Sequence, residues 1–165
     1  MKNEKEPEVS LKEINEDTLW SILDLEVTED QKQYVAPNAV SIAEAHFSEN
    51  AWFRAIYADE TPVGFVLRFI DEEETEYDLW RLMIDKNHQR QGYGKQALQR
   101  VIEYISTLPG AEELTLSYLP GEGDPSPFFE EFGFEDADEW VDDEKILSLP
   151  LGNREVNPWR TTSLK

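Results

Sequence analysis

Cysteine is missing from the 165 residues. Disulfide frameworks, zinc–thiolate sites, iron–sulfur clusters and cysteine nucleophiles are excluded with it. Histidine is scarce: His46 and His88 are too few for a multi-histidine metal site, and no metal is expected. No apolar run approaches the roughly 20 residues of a membrane span. The opening MKNEKEP has no hydrophobic signal-peptide core. The expectation is a soluble, cytoplasmic chain with no membrane partner. Basic residues are the other shortage. Lys and Arg number 15 against 36 Asp and Glu, a net charge of −21. Such a surface repels phosphate backbones, so no nucleic-acid partner is expected, and it attracts cations. Solubility in a saline cytoplasm and the gathering of a cationic substrate both account for the acidity.

What is present suffices for a packed core, with 39% hydrophobic and 12% aromatic residues. The length fits one domain, assigned to 9–149, between a flexible N-terminus 1–8 and a tail 150–165 containing Pro150, Gly152, Pro158 and Trp159. The charge is unevenly placed. Lys86 to Arg100 reads KNHQRQGYGKQALQR and holds no acid, whereas Ile102 to Glu144 holds fourteen acids and no Lys or Arg. One positive island in so acidic a chain suits an anionic ligand.

Periodicity organises the chain as α/β. Val9–Ile14 reads as a short strand. Asn15 reads as the N-cap of a helix with Leu19, Trp20, Leu23 and Val27 inward. Thr28–Pro37 is a polar connection, and Asn38 opens a second helix through Phe47 with Val40, Ile42 and Ala43 inward. Trp52–Ala58, Val63–Ile70 and Tyr77–Ile84 form an antiparallel meander, turning at Glu60–Pro62 and Asp71–Glu76. A helix after Gly92-Tyr93-Gly94 places Tyr93, Ala97, Leu98, Val101, Ile102 and Ile105 on one stripe, and Leu108-Pro109-Gly110 stops it. The strand Glu113–Leu119 then completes a right-handed crossover with parallel strands. Asp124 caps a short helix carrying Phe128, Phe129 and Phe132, with Gly133 past its end, and Trp140–Leu149 forms a last strand pair.

The strand–loop–helix unit Tyr77–Arg100 carries the chemistry. In Gln89-Arg90-Gln91-Gly92-Tyr93-Gly94 two glycines let the backbone turn with its N–H groups outward, and the next helix brings its positive end to the same place. This is a main-chain phosphate cradle, although a plain strand-to-helix turn also uses such glycines. No GxxxxGK[ST] is present, Ala97 stands in the third place of a GxGxxG, and no kinase signature appears.

Gln89–Gly94 resembles the Q/R-x-x-G-x-G/A signature of the GNAT N-acetyltransferase superfamily. Leu82-Met83-Ile84-Asp85 resembles the family's fourth strand, Leu116-Ser117-Tyr118 its fifth, and Phe128–Phe134 its late F-Y-x-x-x-G-F motif. Glu29–Ala36 and Ser41–Ala45 resemble the bacterial diamine, spermidine and spermine acetyltransferase branch. The resemblance covers about residues 9–149. It implies the acyl-CoA N-acyltransferase fold, a mixed central sheet with splayed fourth and fifth strands and flanking helices. It implies acetyl-CoA as donor and a primary amine, favouring a small cationic di- or polyamine, as acceptor. Gln89, Arg90, Gln91, Gly92, Tyr93 and Gly94 would hold the pyrophosphate, with Lys95 nearby. Met83 and Ile84 would offer main-chain groups to the pantetheine, and Phe129 would face the cofactor. Gln31, Tyr34, Val35 and Trp80 become acceptor candidates, and Glu76, with Asp78 or Glu74, a general base. Glu26, Glu29 and Asp30 are candidate ammonium binders. A homodimer stays open.

One departure stands out. The family's thiolate-protonating tyrosine lies four residues before the glycine of the G-F pair, and here that residue is Phe129. Phenylalanine cannot donate a proton. Three readings follow: the thiolate leaves without a protein acid, or Tyr118 or Ser117 stands in, or the chain is a non-catalytic acyl-CoA-binding module. Glu122 takes the place of an Asn often found in the loop after the fifth strand. A protein or peptide N-acetyltransferase is a further alternative. Arg81, mid-strand, is expected to pair with an acid at the core edge, and His46 to lie on the surface at a helix end.

Overall fold

The computed structural model describes residues 5–152. The expectations for residues 1–4 and for the tail beyond 152, including Pro158 and Trp159, lie outside them. The elements run β1 (Val9–Lys12), α1 (Leu19–Leu23), a 3-10 turn (Glu29–Gln31), α2 (Asn38–His46), β2 (Ala51–Ala58), β3 (Thr61–Asp71), β4 (Glu76–Ile84), α3 (Tyr93–Ile105), β5 (Glu113–Tyr118), α4 (Ser126–Glu130), β6 (Glu135–Val141) and β7 (Glu144–Pro150). The strands hydrogen-bond in the order β1-β2-β3-β4-β5-β7-β6. β1–β2, β5–β7 and β6–β7 are antiparallel and β4–β5 is parallel, so the sheet is mixed, as expected. Among the described residues the β4–β5 register is confined to Asp78 opposite Thr115.

Two compact units divide the chain. The first comprises the residues up to Leu67 with Arg81–Gln99, the second Arg68–Trp80 with the chain from Arg100 on, so β3, β4 and α3 run through both. In the first, Val9, Ile22, Ile56, Val63, Phe65, Leu67, Ala97 and Leu98 are fully buried. In the second, Ile105, Leu114, Leu147, Leu149 and Leu151 are. Every residue of the expected α3 stripe is buried, because six apolar side chains at a 3.6 period leave one face that water disfavours.

The two short N-terminal helices depart from expectation. Thr18 precedes α1, and Asn15 instead closes the preceding turn, its Oδ1 accepting from the N–H of Asp17 (2.9 Å) and Thr18 (3.1 Å). Trp20 is 72% exposed, Ile22 is the buried residue of α1, and Val27 is buried beyond the helix end. In α2 the inward face is Asn38, Ser41 and Ala45, while Val40 and Ala43 are exposed. The cause is polar: Asn38 Nδ2 donates to the Ile22 carbonyl at 2.9 Å, satisfying a C-terminal carbonyl of α1 and fixing the rotation of α2. The turns before β3 and β4 use the left-handed residues Asp59 (φ 52°) and Thr75 (φ 52°). β6 begins at Glu135, earlier than the sequence pattern indicates.

Candidate functional site

In the first unit, β4 hands over to α3 through residues 85–92. Asp85, just past the strand, is buried. Its Oδ1 accepts from the Glu26 N–H (2.9 Å) and its Oδ2 from the Asn87 N–H (3.1 Å), while its own N–H donates to the Val63 carbonyl (2.8 Å). The loop then curls through two left-handed residues, Arg90 (φ 64°) and Gly92 (φ 84°). Such alternation turns successive N–H groups toward one side as an anion nest. The first α3 bond runs from the Gln96 N–H to the Gly92 carbonyl (3.1 Å), which leaves the N–H groups of Tyr93, Gly94 and Lys95 without an acceptor inside the helix. A Cβ built on Gly92 would meet nothing nearer than Gln96 Nε2 at 3.9 Å, so the cradle is open. Arg90 and Lys95 are exposed on the same loop and first helical turn, and main-chain donors so arranged suit an anion.

The loop's side chains divide. Gln89 Nε2 donates to the Ile84 carbonyl (2.9 Å) and to Gln31 Oε1 (2.7 Å), so its amide braces the loop. Tyr93 is buried with its hydroxyl donating to Gln91 Oε1 (3.1 Å). Lys86, part of the basic island, is committed elsewhere: its Nζ lies 2.6 Å from Glu26, and Lys32 lies 3.2 Å from the same carboxylate. The two lysines hold the Glu26 carboxyl below its ordinary range, and Glu26 raises Lys86 in turn. Lys32 also reaches Glu29 at 2.6 Å. Of the three acids proposed for ammonium binding, Glu26 and Glu29 are thus already ion-paired. His88 is half-buried, its N–H donating to the Asp85 carbonyl.

Met83 and Ile84 sit where β4 meets β3. The Met83 carbonyl oxygen lies 2.3 Å from where a Cβ on Gly64 would be, so glycine there permits the close approach. That carbonyl faces β3, while the Ile84 carbonyl accepts from Gln89. The Met83 side chain is buried, with its sulfur 3.7 Å from Asn38 Nδ2. It forms one wall of a cavity of about 240 Å³ lined mainly by Leu23, Leu25, Val27, Val35 and Pro37, with Glu26 and Lys32 as its charged groups. The cavity brings Val35 of the acceptor set beside Met83 of the cofactor set. Gln31 is tied to Gln89, and Tyr34 is half-buried with its N–H bonded to the Gln31 carbonyl.

In the second unit, alternation along β5 separates the two candidate proton donors. Tyr118 shares the face of buried Leu114 and Leu116, whereas Ser117 is exposed and its hydroxyl donates to Glu144 (2.9 Å). Phe129 is buried in an aromatic cluster, its ring 5.2 Å from Phe128 and 5.5 Å from Phe134 in edge-on contacts. α4 departs from expectation: Pro125, not Asp124, is its N-cap, and Asp124 instead closes the preceding loop by accepting from the Gly121 N–H (3.0 Å) and the Ser126 N–H (2.9 Å), while the helix stops at Glu130, so Phe132 and Gly133 (φ 101°) lie past its end. Glu76 is exposed at the start of β4. Desolvation, then Asp78, Asp71 and Glu74, push its carboxyl up. Asp78 accepts a hydrogen bond from the Thr115 hydroxyl. Trp80 stacks on Phe69 with centroids 5.2 Å apart. In the first unit Arg81 pairs with Glu44 at 3.2 Å, the partner acid expected for it.

Asp85 is the residue that sequence reasoning missed. Its signal was present: an Asp directly after an apolar strand and two residues before an Asn is an Asx-turn pattern.

A strand, an open left-handed loop and a helix N-terminus within a mixed α/β sheet define a fold that presents main-chain donors to an anion. The sequence profile of the Acetyltransferase (GNAT) family matches residues 14–134. The chain belongs to that family and is by class an N-acetyltransferase. It is 26% identical over 135 residues to a Bacillus subtilis subsp. natto protein named probable spermine N(1)-acetyltransferase, which covers 77% of this chain and 88% of that protein. Among solved structures it resembles spermidine N-acetyltransferase from Vibrio cholerae in complex with CoA and spermine, at TM-score 0.69 and 15% identity over 87% of this chain and 95% of that one. The ribosomal-protein-S18-alanine N-acetyltransferase from Escherichia coli is similar at TM-score 0.66 and 17% identity, covering 91% of this chain and 98% of that one. Among the described residues no helix is long and apolar enough to cross a membrane.

Proposed function

We propose that this protein transfers the acetyl group of acetyl-CoA to a primary amine, with a small cationic di- or polyamine as the favoured acceptor. The carrying observation is the loop of Arg90 and Gly92 ahead of the first-turn N–H groups of α3, which have no acceptor inside the helix. The net charge of −21 supports a cationic acceptor, as does the name of the Bacillus relative. In this reading the N–H groups of Gln91 to Lys95 take the diphosphate, with Arg90 and Lys95 adding charge. Gln89 braces the loop, and the main chain of Ile84 and Met83 lies along the pantetheine. Gln31, Tyr34, Val35 and Trp80 contribute to the acceptor side.

A protonated amine has no lone pair, so a base must take its proton before attack. Glu76 is assigned that role, since desolvation and the neighbouring acids raise its carboxyl, and a raised carboxyl is the stronger base. The amine nitrogen then bonds to the thioester carbonyl carbon, the carbon–sulfur bond breaks, the sulfur takes a proton from the Tyr118 hydroxyl, and the proton shed by the new amide nitrogen restores that hydroxyl. Tyr118 is preferred to Ser117 because the serine is bonded to Glu144.

Phe129 favours a second reading. With no hydroxyl at that position and the ring packed among phenylalanines, the chain is an acyl-CoA-binding module that turns over slowly or not at all. Thiol release from acetyl-CoA across a panel of amines and acetylatable peptides, in wild type and Phe129→Tyr, separates the two. Turnover of spermidine by wild type that Phe129→Tyr does not increase supports the enzyme. CoA binding with silence on every amine, relieved by Phe129→Tyr, supports the binder. Peptide turnover without polyamine turnover overturns the acceptor assignment.

A further inference from the structure

Two segments far apart in sequence are stitched together inside the first unit. Residues 26–31 lie between α1 and α2, and residues 84–89 lead from β4 into the anion cradle. Asp85 Oδ1 accepts from the Glu26 N–H (2.9 Å), and the Lys86 N–H donates to the Glu26 carbonyl (2.8 Å). Lys86 Nζ meets the Glu26 carboxylate at 2.6 Å. Gln89 Nε2 donates to Gln31 Oε1 at 2.7 Å, and that oxygen also accepts from the Thr28 N–H at 3.3 Å. Gln89 binds the Ile84 carbonyl with the same amide nitrogen, so one side chain clamps the strand end, the cradle and the connecting segment.

The buried member makes the arrangement specific. Asp85 is 5% exposed, and a carboxylate in such a place is held only where donors meet it. Here they are main-chain N–H groups from both segments, Glu26 and Asn87. The surface ion pair at Lys86 adds little by itself. Gln31 is only half-buried, yet its amide meets that of Gln89 reciprocally: its carbonyl oxygen accepts from Gln89 Nε2 at 2.7 Å and its own Nε2 donates to Gln89 Oε1 at 3.4 Å, the longer bond of the two. A ligand that orders the cradle lowers the entropy of Gln89, and Gln89 passes that order to Gln31 and Thr28.

We propose that Asp85, Gln89 and Gln31 form a latch through which occupancy of the anion cradle by CoA orders the segment 26–31, coupling the donor site to the wall of the cavity beside it. Asp85 and Gln31 are positioning residues. The inference rests on the reading of the cradle as the CoA site and adds a coupling to it: the acceptor wall is set by occupancy of the cradle. Coupling of this kind is reciprocal, so a ligand in the cavity tightens CoA by the same factor.

Hydrogen exchange on the full chain tests the latch with CoA itself as the probe. Saturating CoA slows exchange at the Glu26 and Thr28 amides by about threefold or more in wild type, because both donate into the latch. Gln31→Glu keeps the acceptor oxygen and retains the slowing at Thr28. Gln31→Leu removes it and loses the slowing, while a calorimetric titration still finds CoA bound. Asp85→Asn is a second variant, keeping Oδ1 for Glu26 and weakening the hold on Asn87. CoA bound with exchange at Glu26 and Thr28 unchanged in wild type overturns the latch and leaves the acetyl-CoA reading standing. Equal slowing in wild type and Gln31→Leu also overturns it. No CoA binding at all overturns both.

Discussion

Substituting Gly92 separates backbone geometry from charge in the cradle. Its φ of 84° lies in the region that L-residues avoid, at a cost of about 1–2 kcal/mol for any side chain. The nearest atom to a new Cβ is Gln96 Nε2 at 3.9 Å, so no clash adds to that cost. Gly92→Gln and Gly92→Glu are therefore expected to fold with the same modest loss of stability. They differ in one charge. A carboxylate about 5 Å from a phosphate group, at an effective dielectric of about 20, opposes binding by about 3 kcal/mol. CoA is then expected to bind Gly92→Glu about 100-fold more weakly than Gly92→Gln. The gap narrows as salt rises from about 0.1 M to 1 M, because the Debye length falls from about 10 Å to about 3 Å. Calorimetric titration at both salt concentrations, with circular dichroism to establish folding, reads the difference. Two folded variants binding CoA equally at low salt would refute a phosphate at this loop.

Three other outcomes are expected. Tyr118→Phe lowers kcat for acetyl transfer about 10²–10⁴-fold with little change in the KM for acetyl-CoA, as loss of a general acid requires; steady-state kinetics with an unchanged kcat would remove Tyr118 from the mechanism. Gly64→Ala destabilises the protein by about 1–3 kcal/mol in urea unfolding, since its Cβ would stand 2.3 Å from the Met83 carbonyl oxygen, which is backbone and cannot swing away. Glu76 has its carboxyl raised above its ordinary value of 4.5 in the fold, so the folded state binds that proton more tightly than the unfolded state. Its contribution to stability declines as pH climbs from about 4.5 through the raised value. Glu76→Gln is thus expected to be more stable than wild type at pH 7 and equal to it near pH 4, measured by urea unfolding at both; a variant less stable than wild type at pH 7 would contradict the sign.

The sequence by itself determined the elements whose signal is local. The α3 stripe of Tyr93, Ala97, Leu98, Val101, Ile102 and Ile105 repeats every 3.6 residues, and all six are buried. The three meander strands, the parallel return of β5 and the glycine loop were legible for the same reason: period and turn chemistry are properties of neighbouring residues. The rotation of α1 and α2 was not. Trp20 and Val40 were expected inward and lie exposed, because a long-range hydrogen bond from Asn38 to Ile22 sets which face packs. The family resemblance pointed to the loop from Gln89 to Lys95 as the place to look for an anion cradle. That Gln89 braces rather than faces outward, that Lys86 is spent on Glu26, and that Ser117 is bonded to Glu144 were decided by tertiary structure. Asp85 is the sharpest case: its place after an apolar strand marks a turn, but nothing local shows that its side chain is buried. Only the folded chain brings the Glu26 N–H, 59 positions away, to its carboxylate, and a buried charge persists only where such donors converge.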